Sequence, residues 1–483
     1  MPRDDIQLTN TLSGRLEEFR PLTDHRVLIY TCGPTVYRYA HIGNFRALIF
    51  ADTLRRMFEY NGYEVRHVRN ITDVGHLTND TLGEGIDRIE AQARAENMSP
   101  WDIAAHYTDA FLQDARRLNL LEPTASPRAT EYIAEMTELI QRLIDEGHAY
   151  ESNGNVYFDV SSYPSYGKLS HNSVDDLIAG ARVEVGEDKR SPADFALWKA
   201  AGPEKLMRWE SPWGEGVPGW HIECSAMSMD LLGDQIDIHT GGQDNIFPHH
   251  EDERAQSEAA TGEEFVRYWM HNAFLELANN EKMSKSRGNI FTIEDLIERG
   301  IHPLTYRYFT FQAHYRTPLT FSWEALEAAQ TALVRIWEAA AELSQSAGPE
   351  EPGKVAQTYR DRFRTAISRD LDMPTALAVL HEVLGSQLPA GQKLSLVRDF
   401  DSVLGLSIAE MAACLSETTT GQNRLLDERA AARSQRDWQL SDRLRDELAA
   451  SGLEVRDTPQ GQRWVRKDLL PRYQAQEPPE QDS

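Results

Sequence analysis

Lys282 and Lys285 lie three residues apart in the run Lys282-Met283-Ser284-Lys285-Ser286, which continues as Arg287-Gly288-Asn289. Small residues let such a loop bend around phosphates. Two cations on it can neutralise charge developing on a departing pyrophosphate, an effect that belongs to the transition state rather than to the ground state. A solvated basic loop is the alternative for a lone Lys-x-x-Lys, but the full pentapeptide favours the chemical reading. Far upstream, Ala40-His41-Ile42-Gly43-Asn44 sits where a strand should hand over to a helix, and helix N-terminal amides attract anions. His41 and Asn44 are therefore candidates to meet a nucleotide phosphate, although a single histidine is more often structural. Asn44 can donate a hydrogen bond but carries no charge.

A third constellation joins Cys32, Cys224 in Gly219-Trp220-His221-Ile222-Glu223-Cys224, and His249 with Glu253 in Phe247-Pro248-His249-His250-Glu251-Asp252-Glu253. If Pro248 opens a helix, positions 249 and 253 fall one turn apart on one face, so that an imidazole and a carboxylate converge. Two thiolates, one imidazole and one carboxylate suit tetrahedral zinc. Separately each piece has an ordinary explanation: isolated cysteines pack as small hydrophobes, and a His/Glu pair at this spacing commonly decorates a surface.

These groups need a scaffold. The chain has 483 residues, 41% of them hydrophobic, enough for several domains and at least one large core. Val27 to Thr31 reads as a buried parallel strand, closed by Gly33-Pro34. A helix from about Gly43 stops at Asn61-Gly62, and Glu64 to Ile71 is the next strand. Residues 120–215 loosen into short strands and Ser/Asn/Gly/Pro-rich stretches and read as an insertion. Strand and helix patterns then resume through Ile236 to His239 and Tyr268 to Leu277. The expected fold is α/β, a doubly wound parallel sheet of Rossmann type interrupted by an inserted domain. We place this catalytic domain at 1–320, an all-α bundle at 321–420, and a small C-terminal α+β domain at 421–470, where one polar helix precedes two short strands. A disordered tail is expected at 471–483. There are no internal repeats. Three cysteines without a CxxC pair argue against a disulfide framework. No stretch approaches the roughly 18 apolar residues needed to span a bilayer, and the N-terminus lacks an apolar leader, so a cytoplasmic protein is expected. The net charge of −26 confines any nucleic-acid contact to a local patch.

In their order, TCGPTVYxYAHIGN, VRNITDV, PGWHIECSAMS, GGxDxxFPHHExExAQSEA and KMSKSxGN resemble the cysteinyl-tRNA synthetases, a family of class I aminoacyl-tRNA synthetases. Ala40 to Asn44 resembles that class's HIGH motif, with Asn44 in place of the second histidine. The resemblance runs along nearly the whole chain, through RDLDMPTALAVL in the bundle to LLDERAAARSQRDW and DTPQGQRW at the end. It implies a ligase that activates L-cysteine with Mg-ATP and transfers it to the 3′-terminal adenosine of tRNA-Cys, acting as a monomer and without an editing domain. His41, Asn44, Lys282 and Lys285 become catalytic residues, with His41 and both lysines binding ATP. Cys32, Cys224, His249 and Glu253 become ligands of one zinc ion, and Thr72 and Trp220 line the amino-acid pocket. A zinc that takes the substrate thiol as thiolate would reject serine by bond chemistry, where an apolar pocket discriminates by only about 1–3 kcal/mol per small group.

One departure stands out: after Val74 many members carry Asp-Asp-Lys, whereas this chain has Gly75-His76-Leu77. His239 and His250 also lie among the motifs and are expected to be structural. Cys414, in a helix outside every motif, is expected to pack. Residues 424–467 hold ten Lys/Arg against eight Asp/Glu, and Arg463 and Trp464, on an exposed hairpin, are the expected tRNA contacts through phosphate pairing and base stacking. The rival is a related ligase that joins cysteine to a small aminosugar, of the mycothiol-pathway type; such ligases resemble truncated relatives, whereas this C-terminal segment reads as intact.

Overall fold

Arg26–Thr31 is apolar on both faces, as a central parallel strand must be: Val27, Ile29, Tyr30 and Thr31 are all buried. The computed structural model describes residues 5–79, 84–172, 188–202, 204–277, 281–282, 290–346, 348, 353–458 and 461–469. In it Arg26–Thr31 pairs in parallel with Glu64–Arg69 on one side and with Ile236–Gly242 on the other, which in turn pairs in parallel with Val266–Asn272. Asp237, fully buried, pins the start of this array by accepting the Leu22 and Leu28 amides at 2.6 and 2.8 Å. The crossover helix Ile42–Tyr60 buries Phe45, Leu48, Ile49, Leu54, Met57 and Phe58. Gly62, at φ +86°, follows its end and turns the chain into the next strand. Strand order reverses between Arg26–Thr31 and Ile236–Gly242, so the expected doubly wound sheet is present, with a crevice at the carboxyl ends of those two strands.

The insertion is likewise present. Ala149–Ser152, Asn155–Phe158, Phe195–Ala200 and Gly216–Pro218 form a four-stranded antiparallel sheet, preceded by the amphipathic helix Ile133–Asp145. Together with the parallel sheet it makes one compact unit, residues 1–116 and 120–274.

The second compact unit comprises residues 117–119 and 275–483, so a contact division at Phe274–Leu275 falls inside the expected 1–320 domain. The cause is a small sheet of its own: Leu275–Leu277 pairs with Leu319–Phe321 and with Glu281–Lys282, and these strands bracket the helices Ile293–Glu298 and Pro303–Thr310. The bundle follows as Trp323–Ser344, Lys354–Ser368, Met373–Gly385, Ala390–Leu404 and Ile408–Ser416. The polar helix expected near the C-terminus is in fact two, Thr420–Ser434 and Trp438–Ala450. Arg436 takes φ +61° between them, and Asp437 caps the second by accepting the Leu440 amide. The hairpin Leu453–Thr458 with Gly461–Arg466 closes this part as expected. The expected tail lies outside the described residues.

Candidate functional site

The four expected metal ligands come together at the crevice. Cys32 follows the first core strand directly, and its amide bonds to the Thr240 carbonyl of the neighbouring strand at 3.4 Å. Gly33 permits this turn, because a Cβ there would stand 1.6 Å from the Asn70 carbonyl oxygen. Cys224 projects from the first turns of the buried helix Trp220–Leu232. His249 and Glu253 reach the same point from the chain that leaves Ile236–Gly242. Pro248 does not open a regular helix as expected: a wide turn, Ile246–His250, with Phe247 extended, precedes Glu251–Thr261, yet the i, i+4 relation survives. One donor atom from each of Cys32, Cys224, His249 and Glu253 lies within 4.8 Å of the others.

The separations suit a shared ion. The two Sγ atoms are 3.9 Å apart, close to the edge of about 3.8 Å that two thiolates span on one zinc. Glu253 Oε1 is 3.6 Å from Cys32 Sγ and 3.0 Å from His249 Nε2. Surrounding side chains hold the other donor atoms away: His239 Nε2 meets Glu253 Oε2 at 2.9 Å, and His221 Nδ1 meets His249 Nδ1 at 2.8 Å. Burial pushes the His249 imidazole down to about 3, keeping it neutral as a ligand must be, and burial together with Cys224 pushes the Cys32 thiol well up. Two raised thiols beside a buried carboxylate are the state that a divalent cation would reverse. Cys32, His239, His250 and Glu253 also lie mutually close. In that alternative set His239 would have to leave its contact with Glu253 Oε2, and the second thiol would be unused. His239 and His250, fully buried, instead frame the cluster, as expected of structural histidines; His250 bonds to Cys32 Sγ at 3.3 Å and, through Nδ1, to His271 Nε2 at 2.8 Å.

Trp220 opens the helix that carries Cys224 and lays its ring on His249, centroids 4.3 Å apart. Thr72, buried at the end of the Glu64–Arg69 arm, accepts from Asn70 Nδ2 at 3.1 Å, while Asn70 Oδ1 takes the Gly33 amide at 2.8 Å, so Thr72 and the cysteine turn share one side-chain amide. The Gly75-His76-Leu77 departure acquires a local explanation. His76 Nε2 meets the fully buried Glu223 at 2.6 Å, and a Cβ at position 75 would collide with the Asp87 carboxylate, which is ion-paired with Lys205. Sequence reasoning missed Glu223 and His76; the one signal was the position of Glu223 beside Cys224.

His41 and Asn44 form the N-terminal cap of Ile42–Tyr60. His41 Nδ1 accepts the Asn44 amide at 3.3 Å and Asn44 Oδ1 accepts the His41 amide at 3.1 Å. Asn44 is exposed. Lys282 ends the short strand Glu281–Lys282; its side chain and Lys285 lie outside the described residues.

At the C-terminal end the expected contacts are partly consumed. Trp464 is half-buried, donates Nε1–H to the Ser416 carbonyl at 3.2 Å, and packs on Leu426, Leu448, Leu453 and Val455. Arg463 donates to the Gln462 carbonyl at 3.1 Å. Much of the local positive charge is internal: buried Arg429 pairs with Asp457, and Arg456 with Glu338, Glu342 and Glu454. Among the described residues at this end the exposed aromatic is Trp438, 54% accessible, with the Arg433 guanidinium 5.4 Å from its ring. Cys414, expected to pack, is exposed because the apolar side of Ile408–Ser416 is formed by Ile408, Ala412 and Leu415.

A parallel sheet with a capped helix at its switch point, followed along the chain by a helical bundle, is the architecture of class I aminoacyl-tRNA synthetases. Similar solved structures include methionyl-tRNA synthetase from Mycobacterium tuberculosis with methionyl-adenylate (TM-score 0.58, 17% identity, 82% of this chain and 95% of that one). The LeuRS of the Agrobacterium radiobacter K84 ternary complex is another (TM-score 0.60, 11% identity, 83% and 86%). At those identities the likeness is one of fold. Residues 18–331 match the tRNA synthetases class I (C) catalytic domain, and residues 415–464 match the cysteinyl-tRNA ligase anticodon binding domain. Cysteine–tRNA ligase 1 of Burkholderia lata is 46% identical over 460 residues, covering 95% of this chain and 96% of its own. The Brevibacillus brevis cysteine–tRNA ligase is 45% identical over 483 residues, covering 96% and 100%. The chain belongs to the cysteine–tRNA ligase family.

Proposed function

We propose that this chain activates L-cysteine with Mg-ATP and transfers the cysteinyl group to tRNA-Cys, as a monomer in the cytoplasm. The observation that carries the choice of amino acid is the cluster of two thiols, an imidazole and a carboxylate at the crevice. Cys32, Cys224, His249 and Glu253 would hold zinc, which supplies a soft Lewis acid that favours a thiolate over a hydroxyl. Trp220 and Thr72 bound the amino acid, Trp220 by its ring and Thr72 by a hydroxyl oriented through Asn70. In the first step a cysteine carboxylate oxygen attacks the α-phosphorus of ATP; the new P–O bond forms as the α–β bridge breaks and pyrophosphate leaves. His41, Asn44 and the helix amides behind them steady the phosphates, and Lys282 and Lys285 offset the charge of the leaving group. In the second step a ribose hydroxyl of the terminal adenosine attacks the carbonyl carbon, and AMP departs.

The matched anticodon-binding segment supports a tRNA acceptor over a small aminosugar. Within it the exposed Trp438, with Arg433, is better placed than Trp464 to stack on an unpaired base. No helix of the described residues is long and apolar enough to cross a membrane. Charging of total transfer RNA with radiolabelled cysteine tests the proposal: label should enter one isoacceptor family, that of cysteine. Exchange activity without any charging would favour the small-molecule ligase.

A further inference from the structure

We propose that Tyr39, with Arg38 next to it in the chain, is a seat for the unpaired 3′-terminal nucleotides of the transfer RNA, which deepens and rests on the synthetase reading above. Tyr39 lies two residues before His41, at the lip of the helix junction, and is 51% exposed while the next residue, Ala40, is buried. An exposed ring on a short turn would ordinarily be free to move. This one is braced edge-on by Tyr107, centroids 5.1 Å apart at 83°, and by His106 at 6.0 Å and 70°, with its hydroxyl 3.3 Å from His106 Nε2. The brace is firm, because Tyr107 belongs to the packed side of Pro100–Arg117 together with Ile103 and Phe111. Edge-on support leaves a ring face available for stacking.

Charge supplies the second observation. The guanidinium of Arg38 stands 5.1 Å from the Tyr37 ring centroid and that of Arg88 5.8 Å from the same ring, two residues before Tyr39 in the chain. Arg38 makes no ion pair among the described residues. A phosphate beside it would meet a charge that no carboxylate among the described residues takes up. In a chain of net charge −26, such a spot has to be local to attract a polyanion. A stackable ring with guanidinium groups alongside is the composition that holds single-stranded nucleic acid without reading sequence. The occupant follows from position. The second step needs the single-stranded end of the tRNA at the junction that carries His41, and a half-exposed rim suits a polymer end that comes and goes. The adenine of ATP would be enclosed in the crevice.

The test measures charging and cysteine-dependent pyrophosphate exchange on the same preparations of full-length wild type, Tyr39→Ala, Tyr39→Phe and Arg38→Ala. Tyr39→Ala should raise the KM for tRNA so that charging falls about tenfold more than exchange. Tyr39→Phe, which keeps the ring, should behave as wild type. Arg38→Ala should flatten the salt dependence of charging by about one phosphate contact. Equal losses of charging and exchange in Tyr39→Ala, which would place the ring at ATP or in the fold, overturn the proposal. So does undiminished charging in that variant while the wild type charges normally. A wild-type protein that performs neither half-reaction would instead bring down the synthetase reading and this seat with it.

Discussion

Cys32 and Cys224 face each other at 3.9 Å with no disulfide between them, in a pocket where burial alone would keep thiols protonated. A bound divalent cation is what makes such a pair stable as thiolates. Purified protein should therefore hold one equivalent of zinc, and Cys224→Ser should lose both the metal and cysteine activation, since a hydroxyl is a poor ligand at a thiolate position. Cys414→Ser should keep both, because Cys414 lies on the exposed side of its helix. Metal analysis decides the matter: full zinc in both variants would remove Cys224 from the ligand set. At this scale much could be read in the sequence. The four donors belong to motifs whose order was legible, and they converge. What could not be read was the support around them. His239, His221 and His271 lie on separate elements, and only the folded sheet brings His239 to Glu253, His221 to His249 and His271 to His250.

Helix termini carry the next level. His41 with Asn44 and Thr292 with Asp295 cap their helices reciprocally, while His302 caps Pro303–Thr310 by accepting the Leu304 amide on Nδ1 at 3.2 Å, with its ring edge-on to Trp337. Burial pushes the His302 imidazole down to about 4. The folded state therefore prefers the neutral ring, whereas the unfolded chain takes up a proton near 6.5. The contribution of His302 to stability is complete above about 6.5 and is lost as pH falls towards 4. Because the ring keeps some contact with water, the loss should be roughly 2 kcal/mol rather than the full shift. His302→Asn preserves a capping side chain and removes the titration. Thermal melts at pH 7 and pH 5 should thus show a smaller drop for the variant than for wild type; equal drops would contradict the assignment. Elements with strong periodicity, such as Arg26–Thr31 and Ile42–Tyr60, were readable in advance. The break between Thr420–Ser434 and Trp438–Ala450 was not, because a non-glycine residue, Arg436, adopts the left-handed turn that sequence reasoning reserves for glycine.

For the whole molecule, composition misleads about where RNA can bind. The C-terminal segment has a small excess of basic residues, but several are spent on internal pairs with Asp457, Glu338, Glu342 and Glu454, and such pairing is invisible in a count. The proposed stacking surface is accordingly Trp438 rather than Trp464. Trp438→Ala should raise the KM for tRNA about tenfold, the order expected for one stacked base. Trp464→Ala should instead lower the melting temperature, having removed a packed indole and its bond to Ser416. If Trp464→Ala alone impaired tRNA binding at unchanged stability, the original expectation from the hairpin would be restored. The division at Phe274–Leu275 was equally hidden, since Leu275–Leu277 reads as a continuation of the preceding strand and joins another sheet only through pairing with Leu319–Phe321.

Selection of cysteine by a thiol-lined metal site, as proposed for this class I adenylating fold, belongs to the first half-reaction. Cysteine-dependent ATP–pyrophosphate exchange, run in parallel with serine on the zinc-loaded wild-type protein, tests it most directly. Exchange should be rapid with cysteine and, because serine offers the metal no soft ligand, at least a thousandfold slower with serine, on the order of 4 kcal/mol in the barrier. Comparable rates with both amino acids, or none with cysteine, would contradict it.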